Sequence, residues 1–255
     1  MSSMLEIKGL CKNFGGVSAI NHFDMKVEKG KIVGLIGPNG AGKTTIFNTI
    51  TGIYRPSEGT VLLEGEDITG CEPWQATQKG ISRTFQNIRL FSNLTVLKNV
   101  VMAGNKDIKY GLFDAFFRTP KYWKEEKRVN EMAKDLLEFV NLQDYKDAIA
   151  GSLPYGHQRR LEIARALATN PKLVLLDEPA AGMNAEESME LVEFIRRIQK
   201  EFSLTILMIE HHMDVVSSLC DYAAVLNFGE KIVEGTVEDI KKNKEVVEAY
   251  LGKEE

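Results

Sequence analysis

The sequence predicts an α/β fold in which helices cover both faces of a parallel β-sheet. Three short apolar runs, at 32–36, 173–176 and 204–209, are continuous rather than alternating. Such runs are typical of parallel strands that are buried on both sides. In residues 187–202 the apolar side chains recur at three- and four-residue steps and so share one helix face. Strands that alternate with helices indicate a layered α/β arrangement.

Alternating patterns near the ends of the chain predict a second, antiparallel β-portion beside the parallel sheet. Leu5 and Ile7 alternate with polar residues, and Val61 and Leu63 nearly do so. Residues 228–230 lie between two short strand-like runs and predict a hairpin turn. We assign this hairpin to the same antiparallel portion.

The middle of the chain predicts a mostly helical subdomain, because it is rich in aromatic and charged residues and has few strand-like runs. We expect a single domain over 1–255. Within it, 1–86 and 166–255 form a core with the antiparallel portion and a C-terminal helical tail. Residues 87–165 form the helical subdomain.

Composition and charge narrow the possible functions. The chain has 255 residues, 44% of them apolar and 27% charged, with a formal net charge of −4. No basic excess indicates a nucleic-acid partner, and none is expected. Cys11, Cys71 and Cys220 are scattered, which predicts reduced thiols rather than a metal cluster. Since no run approaches the roughly 18 apolar residues that span a bilayer, other subunits would have to bring the chain to a membrane.

Residues 37–44, Gly-Pro-Asn-Gly-Ala-Gly-Lys-Thr, match the phosphate-binding pattern G-x-x-x-x-G-K-[ST] between a buried strand and a helical pattern. The glycines let backbone N–H groups curl around phosphates, and the helix N-terminus adds donors. Lys43 supplies a charge for the β- and γ-phosphates, and the Thr44 hydroxyl suits Mg²⁺. We expect the Lys43 ammonium to have no partner before nucleotide binds.

A second motif, at 172–178, is an apolar strand that ends in Asp177 and Glu178. Adjacent carboxylates at a buried strand end are unfavourable unless cations meet them. Asp177 is expected to hold Mg²⁺, directly or through water. Glu178 is then expected to be the general base that orients the attacking water.

Residues 153–167, Leu-Pro-Tyr-Gly-His-Gln-Arg-Arg-Leu-Glu-Ile-Ala-Arg-Ala-Leu, resemble the signature segment of ABC-type ATPases, and the resemblance extends over essentially the whole chain. It implies a P-loop NTPase (RecA-like) parallel sheet with an antiparallel β-subdomain and a helical subdomain. It also implies that Phe14 stacks on adenine, that Gln86 touches Mg²⁺ and water, and that His211 is the switch histidine. Residues 181–184 become the D-loop.

The resemblance assigns each part of the site to particular residues. It places ATP on Phe14, Gly37, Pro38, Asn39, Gly40, Ala41, Gly42, Lys43, Thr44 and Thr45. It places Mg²⁺ on Thr44, Gln86 and Asp177, and catalysis on Glu178, His211 and Gln86. It places the nucleotide of an opposing subunit on Leu153, Pro154, Tyr155, Gly156 and His157.

The signature departs from its common form, Leu-Ser-Gly-Gly-Gln. Pro154 replaces the serine, Tyr155 replaces the first glycine, and His157 stands where the glutamine is expected. Proline is acceptable at a helix start, and the amides that follow can still meet phosphate. His157 is interpreted as a neutral substitute for glutamine, with a pH-sensitive contact as the alternative.

Residues 153–156 and 158–167, with 83–87 and 178–182, resemble the branched-chain amino acid importer ATPases in particular. This resemblance implies an ATPase motor that binds ATP and Mg²⁺ and pairs head to tail as a homodimer or heterodimer. It implies integral membrane permease subunits as partners, a substrate-binding protein as an indirect partner, and a place at the cytoplasmic face of the membrane.

The segment 87–99 directly follows Gln86, and the resemblance makes it the contact with the coupling helices of the membrane subunits. The alternative is that Leu90 and Phe91 belong to the subdomain core.

Three other functions stay open from the sequence. One is a transport motor for another cargo, such as lipid or lipopolysaccharide export. Another is an ABC ATPase acting on DNA or ribosomes, although the chain has neither sustained heptads nor a basic excess. The last is a module that senses ATP without hydrolysing it, against which Glu178 and His211 argue.

Overall fold

The chain divides into two compact units, one of Met1–Gln86 with Lys172–Glu255 and one of Asn87–Pro171. A computed structural model describes residues 2–246, apart from the side chain at position 107. The strands of the first unit are β1 (Ser3–Phe14), β2 (Val17–Glu28), β3 (Ile32–Ile36), β4 (Glu58–Leu63), β5 (Glu66–Asp67), β6 (Ile81–Arg83), β7 (Leu173–Asp177), β8 (Thr205–Ile209), β9 (Tyr222–Asn227) and β10 (Glu230–Gly235).

The helices are divided between the two units. Those of the first unit are α1 (Lys43–Ile50), α2 (Pro73–Lys79), α7 (Ala185–Glu201), α8 (Met213–Leu219) and α9 (Val237–Lys242), and those of the second are α3 (Val96–Gly104), α4 (Leu112–Phe117), α5 (Pro120–Phe139) and α6 (Tyr155–Ala168).

The core sheet of the first unit has the strand order β10-β9-β3-β8-β7-β6. Every residue of β3, β7 and β8 is buried, as the continuous apolar runs predict. The pairs β3–β8, β3–β9, β6–β7 and β7–β8 are all parallel. Their carboxyl ends therefore meet at one edge of the sheet, where open α/β sheets place ligands.

A second sheet has the order β2-β1-β4-β5, and its pairs are antiparallel. Leu5 faces Leu63 and Ile7 faces Val61 across β1 and β4. The antiparallel portion predicted around these residues is therefore confirmed.

The predicted hairpin forms, but its assignment to the antiparallel portion is wrong. β9 and β10 pair through a turn in which Phe228 and Gly229 have φ of 46° and 82°, the positive values that a tight type I′ hairpin needs. β9 also pairs in parallel with β3 and so extends the core sheet. The run 223–226 is fully buried, which suits an inner strand.

The second unit is helical, as the sequence predicts. α3 packs against α5 and α6, and Val100, Leu136 and Leu161 are buried in this unit. The expected boundary at 165/166 falls inside α6. The contact pattern places the division at 171/172, after this continuous helix has ended.

Cys11, Cys71 and Cys220 are free thiols in the structure. Across residues 2–246, every helix is either too short or too polar to cross a bilayer.

Candidate nucleotide site

The phosphate loop leaves the carboxyl end of β3 and enters α1 at Lys43. Two glycines fix its path. Gly37 has φ of 149°, and a Cβ there would collide with the carbonyl of Leu226; Gly42 has φ of 108°, and a Cβ there would meet the carbonyl of Ala19. Both positions exclude larger residues, so the loop keeps a narrow curl with its backbone available to a ligand.

Lys43 does not match the expectation of a side chain without partners. Its Nζ donates to the carbonyl oxygens of Gly37 at 2.7 Å and Pro38 at 2.8 Å. The residue is 5% exposed, and an ammonium in such a place needs acceptors, which the loop itself supplies. Burial lowers the pKa of Lys43, while the charges of Glu178 and Asp177 oppose that shift.

The remaining loop residues differ in exposure. Asn39, Gly40 and Thr44 are exposed, whereas Ala41 is buried and its carbonyl accepts from Gly229 at 2.9 Å. The exposed edge of the loop therefore carries backbone groups and a threonine hydroxyl that could meet phosphates and a metal ion.

Three predicted catalytic residues meet at Glu178. Its Oε2 accepts from Gln86 Nε2 at 2.8 Å, and its Oε1 lies 2.7 Å from His211 Nε2. The Glu178 side chain is 18% exposed and the His211 side chain 30%. A carboxylate held on both oxygens has a fixed orientation while one side of it stays open to solvent.

The backbone at Glu178 directs this side chain. Its φ is 47°, a left-handed conformation that non-glycine residues seldom adopt. Its N–H donates to Ile209 O at 2.9 Å, and its carbonyl accepts from Ala181 N at 3.1 Å. These bonds hold Glu178 in a turn directly after β7. The backbone of Glu178 is therefore no longer extended as it is at Asp177, and its side chain takes a different direction.

Asp177 has a partner that sequence reasoning missed. Arg83 Nη2 donates to Asp177 Oδ2 at 2.7 Å, and Arg83 Nη1 donates to Asn48 Oδ1 at 2.6 Å. The Arg83 and Asp177 side chains are only 6% and 5% exposed. The guanidinium lies 5.4 Å from the ring of Phe47 and 5.0 Å from that of Phe85. The requirement for a cation beside the buried acids is met here by Arg83.

Glu210 was also missed. It is 1% exposed and accepts backbone N–H groups from Ala180 at 3.0 Å and from His211 at 2.7 Å and His212 at 3.2 Å. The Glu210 carboxylate thus links the turn after β8 to the turn after β7 and fixes the backbone that carries the His211 side chain. Its signal in the sequence is an acidic residue directly after a fully apolar strand.

Phe14 ends β1 and is 43% exposed, so it is not a core residue. Its ring lies edge-on to Tyr54 at 5.1 Å, and Lys12 Nζ lies 4.9 Å from its centroid. A ring with this much exposed surface can stack on a flat ligand.

The signature segment belongs to the second unit. Pro154 precedes α6, Tyr155 and Gly156 are exposed on its first turn, and Leu153 is buried. The ring of His157 packs on Tyr145 at 4.9 Å. The first turn of α6 is therefore an exposed helix start.

Behind the signature, Arg159 is 2% exposed, and its Nη1 donates to Glu162 Oε2 at 2.9 Å. Its Nη2 donates to the Tyr155 hydroxyl at 3.2 Å. The residue that replaces the first glycine of the signature is therefore anchored from within the helix.

The segment after Gln86 is held by hydrogen bonds between Asn99 and the backbone of Phe91. Asn99 is fully buried; its Oδ1 accepts from Phe91 N at 2.9 Å and its Nδ2 donates to Phe91 O at 3.1 Å. The Arg165 guanidinium lies 4.9 Å from the Phe91 ring and donates to Arg89 O. Phe91 is 47% exposed, which argues against its assignment to the subdomain core.

The residues proposed for Mg²⁺ suit that ion. The Thr44 hydroxyl, the Gln86 amide oxygen and the Asp177 carboxylate are all hard oxygen donors. Among residues 2–246 no group of three or more His, Cys, Asp and Glu side chains could hold a metal by itself. Mg²⁺ in nucleotide sites is typically bound by one or two protein ligands together with phosphate oxygens.

Comparison with known proteins gives the family. Residues 20–181 match the family described as ABC transporter, and 230–255 match the one described as branched-chain amino acid ATP-binding cassette transporter. The chain is 43% identical to the high-affinity branched-chain amino acid transport ATP-binding protein BraF of Pseudomonas aeruginosa and 42% identical to LivG, of the same description, from Escherichia coli K12. Each alignment covers 98% of both chains.

Solved structures agree. The chain superposes with a TM-score of 0.86 and 34% identity on the ADP conformation of an ATP-binding cassette of an ABC transporter, covering 99% of this chain and all of that one. A nucleotide-free ATP-binding cassette from an ABC transporter gives a TM-score of 0.85 at 34% identity. The chain therefore belongs to the ABC transporter family of ATP-binding proteins.

Proposed function

We propose that this chain hydrolyses ATP as the motor subunit of an ABC importer for branched-chain amino acids. The observation that carries the catalytic part is Glu178, held by Gln86 at 2.8 Å and His211 at 2.7 Å with one side open to solvent. An oriented carboxylate next to a phosphate loop is suited to position and polarise an attacking water.

In this proposal the phosphate loop binds the nucleotide. Lys43 exchanges its bonds to the carbonyls of Gly37 and Pro38 for the β- and γ-phosphates, because a charged acceptor makes the stronger bond. The N–H groups of 39–45 surround the phosphates. Phe14 stacks on adenine.

Mg²⁺, when bound, neutralises charge on the phosphates. Thr44, Gln86 and Asp177 would hold it, with Asp177 acting directly or through water. Arg83 keeps the Asp177 carboxylate oriented at 2.7 Å. His211 contacts both Glu178 and, in the proposal, the γ-phosphate, so that it links the base to the bond being broken.

Two cassettes close head to tail in the proposed working state. Each phosphate loop then faces residues 153–157 of the other subunit. The N–H groups at the exposed start of α6 would supply donors there, although Pro154 has no hydroxyl to offer. The second cassette is either a copy of this chain or a related subunit.

The cargo and partners of the proposal rest on the relatives, whose names describe high-affinity branched-chain amino acid transport. The chain would act at the cytoplasmic face of the membrane on permease subunits, with a substrate-binding protein as an indirect partner. Residues 87–99 are the proposed permease contact, because Phe91 is exposed yet rigidly held by Asn99 and Arg165. The cargo is tested by uptake of labelled leucine into vesicles that carry the permease subunits and this chain. Uptake is expected for a branched-chain amino acid importer, and no uptake is expected for a lipid transporter.

Adjacent histidines give a matched test of the catalytic part. His211 contacts Glu178, whereas His212 contacts Glu210 at 3.2 Å and its side chain is 58% exposed. Phosphate release from Mg²⁺–ATP should fall about 10²-fold or more in His211→Ala and stay within about threefold of wild type in His212→Ala. Equal rates for both variants would remove His211 from the reaction, and absence of hydrolysis by the wild-type chain would favour an ATP sensor.

A further inference from the structure

The second unit carries an exposed aromatic surface that nucleotide binding does not use. We call residues 109–124, which include α4 and the first turn of α5, the aromatic corner. Six of the chain's 21 aromatic residues lie in this stretch. Leu112 is 92% exposed, Phe116 81% and Phe113 70%. Apolar side chains that are exposed together, rather than scattered singly, mark an interaction surface.

The corner is ordered by its own contacts. The Phe117 ring lies 4.6 Å from Phe113 and 5.0 Å from Phe116. The Asp114 side chain accepts from Thr119 Oγ1 at 2.8 Å and from the N–H of Gly111 at 3.3 Å, which ties the two ends of α4 together. No residue of α4 is buried. Packing against residues 2–246 therefore does not account for the exposed aromatic side chains of α4.

The charges around the aromatic side chains are positive. Lys109, Arg118, Lys121 and Lys124 are all exposed, and Asp114 is the only acidic residue of 109–124. Asp114 is partly buried, accepts from Thr119 and pairs with Lys121 at 3.6 Å, so the stretch carries four cations against one acid. The chain as a whole carries −4, so the corner is a basic surface on an acidic protein.

The acids that follow the corner are engaged by neighbouring side chains. Glu125 is 9% exposed and accepts from Arg128 Nη2 at 3.0 Å. Glu126 accepts from the Tyr110 hydroxyl at 2.9 Å. Glu125 also attracts the charge of Lys109, so the positive charge of the corner rests mainly on Arg118, Lys121 and Lys124.

We propose that the aromatic corner inserts its rings into the headgroup region of an anionic lipid bilayer. Phe, Leu and Trp side chains beside Lys and Arg are the composition of segments that lie in the membrane interface. The rings of Trp123 and Tyr122, 5.3 Å apart, suit headgroup depth, where one end of an aromatic side chain is apolar and the other wet. The lysines and Arg118 match the negative surface potential of anionic lipids.

The test uses the purified full-length chain and vesicles without protein, one set of phosphatidylcholine and one with 30% phosphatidylglycerol. Binding to the anionic set is expected and should weaken as salt rises, because the charge attraction is screened. The double variant Phe116→Ser with Trp123→Ser should bind at least about tenfold more weakly. Lys121→Gln with Lys124→Gln should lose about fivefold for each charge removed.

Matched controls remove equally exposed aromatic side chains elsewhere. Trp74 is 60% exposed in α2 and Phe228 is 86% exposed in the β9–β10 turn, so Trp74→Ser with Phe228→Ser should bind as wild type. In a Trp74→Phe chain, Trp123 is the single tryptophan. Its emission should shift to the blue with anionic vesicles and should be quenched by brominated lipid.

Several results would overturn the inference. The first is that the chain does not bind protein-free anionic vesicles. The second is that Trp74→Ser with Phe228→Ser weakens binding as much as Phe116→Ser with Trp123→Ser. The third is that the emission of Trp123 does not shift. If the chain does not bind vesicles but the double variant Phe116→Ser with Trp123→Ser loses its co-purifying permease subunits, the corner is a contact surface for those subunits. If the same variants instead change the mass by light scattering, it contacts a second copy of the chain. None of these readouts needs ATP hydrolysis, so failure here leaves the proposed function standing.

Discussion

Arg83 should be the residue of the nucleotide site whose loss destabilises the fold most. Replacing it by Met keeps much of its length and its packing between Phe47 and Phe85 but removes the donors to Asp177 at 2.7 Å and Asn48 at 2.6 Å. Asp177 is 4% exposed, so its buried carboxylate is left without its ion-pair partner. Breaking a buried pair in this way costs about 3–5 kcal/mol.

The expected shift is large enough for a simple assay. At about 2–4 °C per kcal/mol for a unit of this size, Arg83→Met should lower Tm by about 6–20 °C. Lys231→Met is the matched control, because Lys231 pairs with Glu234 at the same 2.7 Å but both side chains are 28% exposed. A pair in that setting contributes about 0–1 kcal/mol.

A second variant separates the charge from the packing. Adding Asp177→Asn to Arg83→Met removes the buried charge that has lost its partner and should recover part of the lost Tm. Differential scanning calorimetry without nucleotide measures all three variants. A Tm for Arg83→Met within about 2 °C of that for Lys231→Met would refute the view that Arg83 compensates the buried acid.

Three further outcomes are expected. Lys43→Ala should weaken ATP binding at least about tenfold by isothermal titration with Mg²⁺, and unchanged affinity would take the ammonium out of the site. His157→Gln should leave the ATPase profile unchanged between pH 6 and 8, since the ring packs on Tyr145 at 4.9 Å; a changed profile would place the imidazole against phosphate. Burial raises the pKa of Cys220 to about 12, so only about one thiol in 10⁴ is thiolate at pH 8 and Cys220 should resist alkylation in the folded chain, which mass spectrometry can check.

Sequence patterns predicted the parts of the fold that depend on local periodicity. The buried strands around Ile36, Asp177 and Ile209 and the helices between them follow from apolar runs and three- and four-residue steps. The hairpin turn at Phe228 and Gly229 was local and therefore visible. The sheet to which the hairpin belongs could not be predicted, because β9 pairs with β3, which is far away in the chain. Periodicity does not identify such a long-range partner.

The same limit applies to the site. The acids and the phosphate loop are contiguous motifs, so their chemistry could be inferred from the residues. The network of Asn48, Arg83 and Asp177 joins three distant segments, and no pattern along the chain links them. Lys43 was wrongly expected to lack partners because its acceptors are backbone carbonyls, which a sequence does not display.

Glu178 is proposed as the base that separates ATP binding from hydrolysis. Glu178→Gln keeps the side-chain shape between Gln86 and His211 but removes the charge and the base. The measurement is light scattering of this variant with ATP and with ADP, paired with phosphate release on the same sample. We expect ATP to bind, hydrolysis to fall about 10²-fold or more, and a dimer to accumulate with ATP but not with ADP. Hydrolysis by the variant at the wild-type rate, or a monomer with ATP demonstrably bound, would contradict this role of Glu178.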